Sequence, residues 1–565
     1  MKVRFLGPVG KVTGSCTWMW DEKKGWNFLI DCGMQQGEAT AAQWNRSEWP
    51  FDPGQIQFVV LTHAHVDHCG LLPALYKRGF QGRVFCTRET AALATLLLKD
   101  AAKLSDLGYA PEDVDLIQWH EPGAGQLFGK FHPAGQDLFL WFYRSAHVVG
   151  AVSVAVYWGA PKATDQRSIL FSGDLGPNEE DTEALPFLRH RMGVWPHDFA
   201  VVESTYGATV RDRAQTRPTM RRQRLAQLLD RTLEDGGTLV IPAFAFGRTQ
   251  DVLFDLHWLA AEYPQRYGSL PVFLDSPTAR KIHRVVLNAL ERTESNGRKG
   301  KVRPLWMGKQ MFTWFGLDGA CPDDIKRALQ ICGETLGHRA GEGVDIRLRG
   351  NDLARSWRGI VRAPMGRAEL AGALEATPGV LVLSSGTCDG GPAAHWLPKL
   401  LGDVRNTVAL AGFCAPRTIG GKLLALANLP ESERQRLSAS LEWPDGPTLK
   451  EREVRASITR LEGYSAHADQ AGLVNWTIGQ SDGNPCAAGK LVFIQHGNES
   501  GRLALEQAIR ARSTEVGLDI ATSRPQSEEI YDLDKAGAII DPERELREIE
   551  LLLAQLEAQR KRLRG

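Results

Sequence analysis

The stretch that most constrains this chain is Phe58 to Gly70, FVVLTHAHVDHCG. An apolar run with β character (Phe58, Val59, Val60, Leu61) empties into His63, His65, Asp67 and His68, and an amphipathic segment with Leu71, Leu72, Leu75 and Tyr76 follows. That order predicts a strand, a tight loop of ligands and a helix start. Imidazole nitrogens and a carboxylate suit borderline first-row metals such as zinc. A single histidine on an apolar face is usually a core residue satisfied by a hydrogen bond. Four ligand-type side chains in six positions at a strand end are not explained that way. The spacing lets one loop serve two neighbouring ions, His63 and His65 on one, Asp67 and His68 on the other.

The same pattern recurs along the chain. Up to about Tyr206, strands are expected at 3–6, 26–31 and 83–86, with a helix at 89–104. Strand-like runs at 138–144, 168–171 and 199–202 lead directly to His147, Asp174 and Glu203. Further on, 458–461 leads to Tyr464 and His467, a helix is expected at 471–478, and 490–494 leads to His496. A helix at 503–512 and a strand near 518–521 complete that pattern. Rigid strands position functional groups in the loops at one end of a layered α/β fold.

Between them, 211–411 reads as a separate unit of alternating strands and helices, which predicts a parallel sheet. Strands are expected at 238–241, 271–274 and 380–383, with helices at 223–233 and 251–261. The pattern dissolves between 293 and 370, where Arg298, Lys299, Lys301, Arg303, Trp306, Lys309, Phe312, Trp314 and Phe315 gather among glycines. Two readings stand there: a solvated insertion with local packing, or a surface where rings stack bases and cations meet phosphates. From about Gly412 the pattern of the first unit resumes. In 542–565, Leu546, Ile549, Leu553 and Leu556 fall at three-to-four spacing, a short heptad-like helix that packs on the chain's own surface or zips against a second copy as a homodimer.

At 565 residues the chain exceeds one ordinary core. Lys plus Arg and Asp plus Glu are 67 each, which excludes a broadly basic protein that coats nucleic acid but leaves room for a local basic groove. The N-terminal stretch carries no continuous apolar signal region, and no apolar run is long enough to span a bilayer. Nine scattered cysteines without Cys-x-x-Cys indicate neither a disulfide framework nor a thiolate zinc site. The expectation is a reduced, cytoplasmic protein without a membrane partner.

Collecting the strand-end residues gives two ion sites: His63, His65 and His147 for one, Asp67, His68 and His496 for the other, with Asp174 bridging. Two zinc ions roughly 3.5–4 Å apart clamp both ends of an in-line displacement and bring the pKa of a bridging water toward neutrality. Phosphodiesters, thioesters and amides all suit that chemistry. A phosphodiester also needs a proton donor for the departing oxygen. His467 belongs to no ligand set and is the candidate, with Glu203 as the carboxylate that keeps it protonated.

The motifs HAHVDH (63–68), His147 and Asp174, preceded by Asp31-Cys32-Gly33, resemble the metallo-β-lactamase superfamily. Glu203 in ESTYG, His467 in YSAHAD and His496 in FIQHG resemble the three additional motifs of its β-CASP branch, as do GPVGKVTGSC, IPAFAFGRTQ, DSPTARK, SSGTCDGGP and APRTIGGKL. That branch includes the cleavage and polyadenylation endonuclease, J-type ribonucleases and DNA-repair nucleases. The resemblance implies an αββα sandwich at 1–208 and 412–525, an inserted β-CASP α/β domain at 209–411, and a tail with a short C-terminal helix at 526–565. It implies a ribonuclease in which a hydroxide held by two zinc ions attacks the phosphate, Asp67 orients it, and His467, held by Glu203, protonates the leaving oxygen. RNA-directed members typically carry His at the last motif, so His496 implies RNA, single-stranded, as substrate. Arg248 and the amides near Ser384, Ser385 and Gly386 are expected phosphate contacts, since Gly-rich turns before helices present N–H groups to anions. A DNA nuclease, a small-ester hydrolase and a non-catalytic RNA-binding subunit are the alternatives.

Overall fold

A computed structural model of the chain describes residues 1–540 apart from 8–9, 37–39, 105–106, 124–125, 161–162, 164, 178–187, 189–190, 213, 215–216, 296–301, 338–342, 347–354, 444–445 and 482–483. The heptad-like segment at 542–565 lies outside the described residues. Among the described residues no helix is long and apolar enough to cross a membrane.

The first sheet carries the strand Phe58–Val60 between Trp26–Ile30 and Arg83–Phe85, both parallel to it. The second sheet sets His197–Glu203 between Arg167–Phe171 and Gly489–Gln495, again parallel. These strands alternate little in polarity because both faces are covered, as parallel sheets require. Phe5, Phe28 and Val60 of the first sheet share one core with Phe142, Val154, Ile169 and Phe493 of the second. The Phe5 and Phe493 rings lie 5.3 Å apart. Helix Arg88–Leu104 packs Leu93 and Leu98 on the first sheet's outer side. Helices Gln470–Thr477 and Glu499–Glu515 cover the second through Leu473, Leu505 and Ile509. The four layers are the expected αββα sandwich.

The third sheet is all parallel, in the order Val272–Asp275, Gly379–Leu383, Thr238–Pro242, Thr407–Leu410, Ser457–Arg460. Its last strand corrects the boundary expected at 411, since Leu410 pairs with Arg460 and the second unit runs on to that strand. The tail is corrected too: Ile530–Asp532 and Ala538–Ile540 join the first sheet beside Lys2–Phe5. The last strand of the second sheet is Ala521–Ser523, slightly later than expected.

Among its described residues, the 293–370 interval offers no aromatic stacking surface. Trp306, Phe312, Trp314 and Phe315 are all buried, 3–7% exposed. They belong to the same core as Phe254 and Trp258 of helix Arg248–Glu262, with Trp314 at 5.9 Å and Phe315 at 6.3 Å from Phe254. Nearly every residue of that helix is buried, so its side away from the sheet needs an apolar cover. The short pieces Lys309–Trp314 and Arg355–Trp357 and the 14-residue helix Pro322–Thr335 provide it. Of the cations there, Arg303 pairs with Glu294 at 2.8 Å and Lys309 is exposed; Arg298, Lys299 and Lys301 lie outside the described residues.

Candidate active site

Pairing register brings the strand ends together. Glu203 lies opposite Gln495, so His496 lands beside it, and Phe171 lies opposite Val201, so Asp174 follows at the same sheet end. The ligand loop is fastened from the neighbouring strand end. Asp31 accepts from the Thr62 amide at 2.8 Å and from its hydroxyl at 2.9 Å. Cys32 N–H donates to His68 O, and Met34 N–H to Val66 O. Position 33 must be glycine, because a Cβ there would sit 1.6 Å from the Asp67 carbonyl oxygen.

The seven expected ligands converge. His65 Nδ1 lies 3.1 Å from His63 Nε2 and 3.0 Å from His147 Nε2. Asp174 Oδ2 faces this trio, 3.4 Å from His63 and 3.5 Å from His147. Its other oxygen faces the second set, with Oδ1 3.2 Å from His68 Nε2. His68 Nε2 is 3.0 Å from His496 Nε2, which is 3.5 Å from Asp67 Oδ2. In each set the candidate ligand atoms lie within 4.8 Å of one another.

The outer ring nitrogens are taken up by the protein, which turns the inner ones to the centre. His63 Nδ1 meets Thr62 Oγ1 at 3.1 Å, His68 Nδ1 donates to Asp31 at 2.7 Å, His147 Nδ1 donates to Ala466 O at 3.1 Å, and His496 Nδ1 meets Thr205 Oγ1 at 3.2 Å. Burial lowers the pKa of His63, His147 and His65, the last to about 3, so these rings are neutral as metal ligation requires. Burial also pushes His68 down, but Asp174 and Asp31 outweigh it and hold it up. Burial raises Asp174 and Asp67, yet the imidazoles around them, His496 foremost, hold both carboxylates low. Asp174 Oδ1 is buried and accepts no hydrogen bond among the described residues. A buried carboxylate oxygen without a donor is costly unless a cation meets it. Histidine and carboxylate donors with no thiolate fit a divalent metal.

Beside the trio, His467 stands with Nε2 3.9 Å from Asp174 Oδ2. Its Nδ1 lies 3.1 Å from each oxygen of Glu203. Glu203 is fixed in turn by the Leu175 amide at 2.6 Å. Burial lowers the pKa of His467, but Glu203 and Asp174 outweigh it and raise it above the ordinary imidazole value. The His467 side chain is 20% exposed and Glu203 1%, the pattern of a donor facing substrate with its partner behind it.

The expected phosphate contacts fare differently. Arg248 is buried and bound to Asp251 at 2.7 Å, which corrects its assignment: the i, i+3 partner takes the guanidinium. The Ser385 amide donates to Gly390 O at 3.4 Å, and the Ser384 hydroxyl accepts from Ser276 at 2.9 Å. Gly386 lies under the Phe244 ring. Sequence reasoning gave no role to Asp31, Thr62, Thr205 or the Ala466 carbonyl. Only Asp31 carries a legible signal, a carboxylate at a strand end two residues before Gly33.

Family descriptions match three successive stretches: the metallo-beta-lactamase superfamily over 9–230, the Beta-Casp domain over 249–423, and the Zn-dependent metallo-hydrolase RNA specificity domain over 451–522. Ribonuclease TTHA0252 of Thermus thermophilus is 28% identical over 92% of this chain and 98% of its own length. The transcription termination factor FttA of Methanocaldococcus jannaschii is 24% identical over 90% of this chain and 69% of its own. An RNase J-like protein of the same organism is 25% identical over 84% and 88%. With the candidate ligand loop, Asp174 and all three later motifs brought together, and with the family matches in succession along it, this chain belongs to the β-CASP branch of the metallo-β-lactamase superfamily.

Proposed function

We propose that this chain is a metal-dependent ribonuclease that hydrolyses single-stranded RNA in the cytoplasm, with two zinc ions as cofactors. The observation that carries the reading is Asp174, which turns one oxygen to each of two ligand sets with His467 alongside. His63, His65 and His147 would hold one ion, Asp67, His68 and His496 the other, and Asp174 both. Such a pair supplies a water of lowered pKa and a Lewis acid for a phosphoryl oxygen. Asp67 keeps 17% of its side chain exposed, and its carboxylate would orient the attacking water by accepting a hydrogen bond from it. His467 holds its Nδ1 proton on Glu203 and delivers the Nε2 proton to the leaving oxygen as the P–O bond breaks. The RNA specificity domain match, the ribonuclease relatives and His496 support RNA over DNA. On this reading the third-sheet unit caps the centre and closes over the strand. A homodimer through 542–565 rests on heptad spacing alone.

The test is cleavage of matched end-labelled RNA and DNA strands, each with a 5′-phosphate or a 5′-hydroxyl, by the zinc-loaded protein beside Asp67→Ala and His467→Ala. Metal-dependent RNA cleavage lost in both variants is expected. Product lengths separate endonuclease from 5′-exonuclease action. Equal cutting of DNA would overturn the substrate assignment, and no cleavage of either strand would overturn the enzyme.

A further inference from the structure

Two phenylalanines stand out of the third sheet where its strands end. Phe244 is 40% exposed and Phe413 is 61% exposed. They follow Thr238–Pro242 and Thr407–Leu410, adjacent parallel strands, so both rings rise from the same carboxyl edge. In open parallel sheets that edge is where ligands bind.

The Phe244 ring is held rather than dangling. A Cβ on Gly412 would meet it at 2.6 Å and one on Gly386 at 3.0 Å, so both flanking strand ends are glycine to admit it. The loop beneath is pinned by the first turn of helix Arg248–Glu262. Phe244 O accepts from the Thr249 hydroxyl at 2.9 Å, Ala245 O from Gln250 at 3.0 Å, and Gly247 N–H donates to Gln250 at 2.6 Å. Two residues on, the Phe246 ring packs 5.6 Å from His65. One short, rigid loop therefore joins an exposed ring to the ligand cluster. Arg417 and Arg460 are exposed at the same edge, Arg460 paired in register with Leu410. The nearby Asp389 is occupied by the Ile419 amide at 2.8 Å.

We propose that Phe244 and Phe413 form a stacking site for unpaired nucleobases of the strand held across the metal centre, with Arg417 and Arg460 meeting its phosphates. The proposal rests on the ribonuclease reading and adds how the single strand is gripped, because unpaired bases offer free faces to stack on and a duplex does not. Stacking on aromatic rings beside cations tolerates any base sequence.

Binding of a short labelled RNA is measured by anisotropy in the full-length, zinc-loaded chain carrying His467→Ala to slow cleavage. Phe244→Ala and Phe413→Ala are compared with the parent, on RNA and on an abasic ribose-phosphate strand of equal length. Each variant should weaken RNA binding by roughly 5- to 100-fold, the worth of one lost stack. Abasic-strand affinity should stay unchanged, and Phe413→Trp should restore RNA binding. RNA affinity unchanged in both variants would overturn the site, as would an equal loss on the abasic strand. Phe413 is mostly exposed, so Phe413→Ala decides the matter should Phe244→Ala fail to fold. Base-dependent binding with no RNA cleavage by the wild type would sink the ribonuclease reading and leave the stacking site standing.

Discussion

His467 Nδ1 lies 3.1 Å from both carboxylate oxygens of Glu203, so one proton is shared with a fork that no other histidine of the site possesses. Burial works against a charged ring here, and Glu203 is the largest influence raising its pKa. A proton donor is active below its folded pKa and is lost as pH rises through it. Glu203→Gln should therefore move the alkaline fall of kcat to lower pH, while His467→Ala lowers kcat by roughly 10²- to 10⁴-fold at every pH. The pH profile of RNA cleavage checks both. An unmoved alkaline limb in Glu203→Gln would assign it to another group.

Asp31 touches no candidate ion position, yet it fixes His68 at 2.7 Å and the ligand loop through Thr62. Asp31→Asn keeps the shape and removes the charge that holds the His68 ring. Metal affinity, read by competition with a chromophoric chelator, should fall about 10- to 100-fold. Affinity equal to wild type would make Asp31 a fold residue only.

Two buried histidines far from the ligands make the fold sensitive to acid. Burial pushes His197 and His257 down to about 4. His257 is held neutral, Nδ1 donating to Leu253 O at 2.7 Å and Nε2 accepting from the Ile360 amide at 3.2 Å. Neither ring nitrogen of His197 has a hydrogen-bond partner among the described residues. The unfolded chain thus binds protons that the folded chain refuses between about pH 6.5 and 4, and stability falls as pH falls through that window. Each ring is worth up to about 3 kcal/mol there. His197→Phe should shrink the drop in urea midpoint between about pH 7 and about pH 5; an identical drop would place the acid sensitivity elsewhere.

Trp314 separates the two readings of the 293–370 interval in one variant. As a core ring 7% exposed, it should cost about 3–5 kcal/mol of stability when cut to alanine, read by denaturant unfolding. RNA affinity of the folded protein should not change. A stable variant with weakened RNA binding would return the interval to the substrate path.

The candidate metal ligands were legible because each one is a ligand-type residue directly after an apolar run, a local signal that needs no knowledge of pairing. The partners that orient them were not. Thr62, Thr205 and the Ala466 carbonyl acquire their roles only when strands distant in the chain come into register. The boundary at 411 failed for the same reason, since Ser457–Arg460 looks like any short strand until Arg460 meets Leu410. Arg248 was readable and misread: an aspartate three residues on, along one helix face, is its natural partner. The aromatic part of the interval escaped the sequence reading because three-residue strands and a six-residue helix are too short to show a period, whereas the 14-residue helix Pro322–Thr335 was long enough and was missed.

The chain passes from the third sheet to the candidate donor in seven residues, Arg460 to His467, and is pinned on the way. Tyr464 donates to Asp255 at 2.7 Å, and the Arg221 guanidinium stacks 4.6 Å from its ring while bonding Asp255. Two residues later, the Ala466 carbonyl receives His147. The sandwich is thus no self-sufficient module: excising the inserted unit would remove the anchor of both a candidate ligand and the candidate proton donor. A change at Arg221 or Asp255 therefore reaches, through Tyr464 and the Ala466 carbonyl, the rings of His147 and His467.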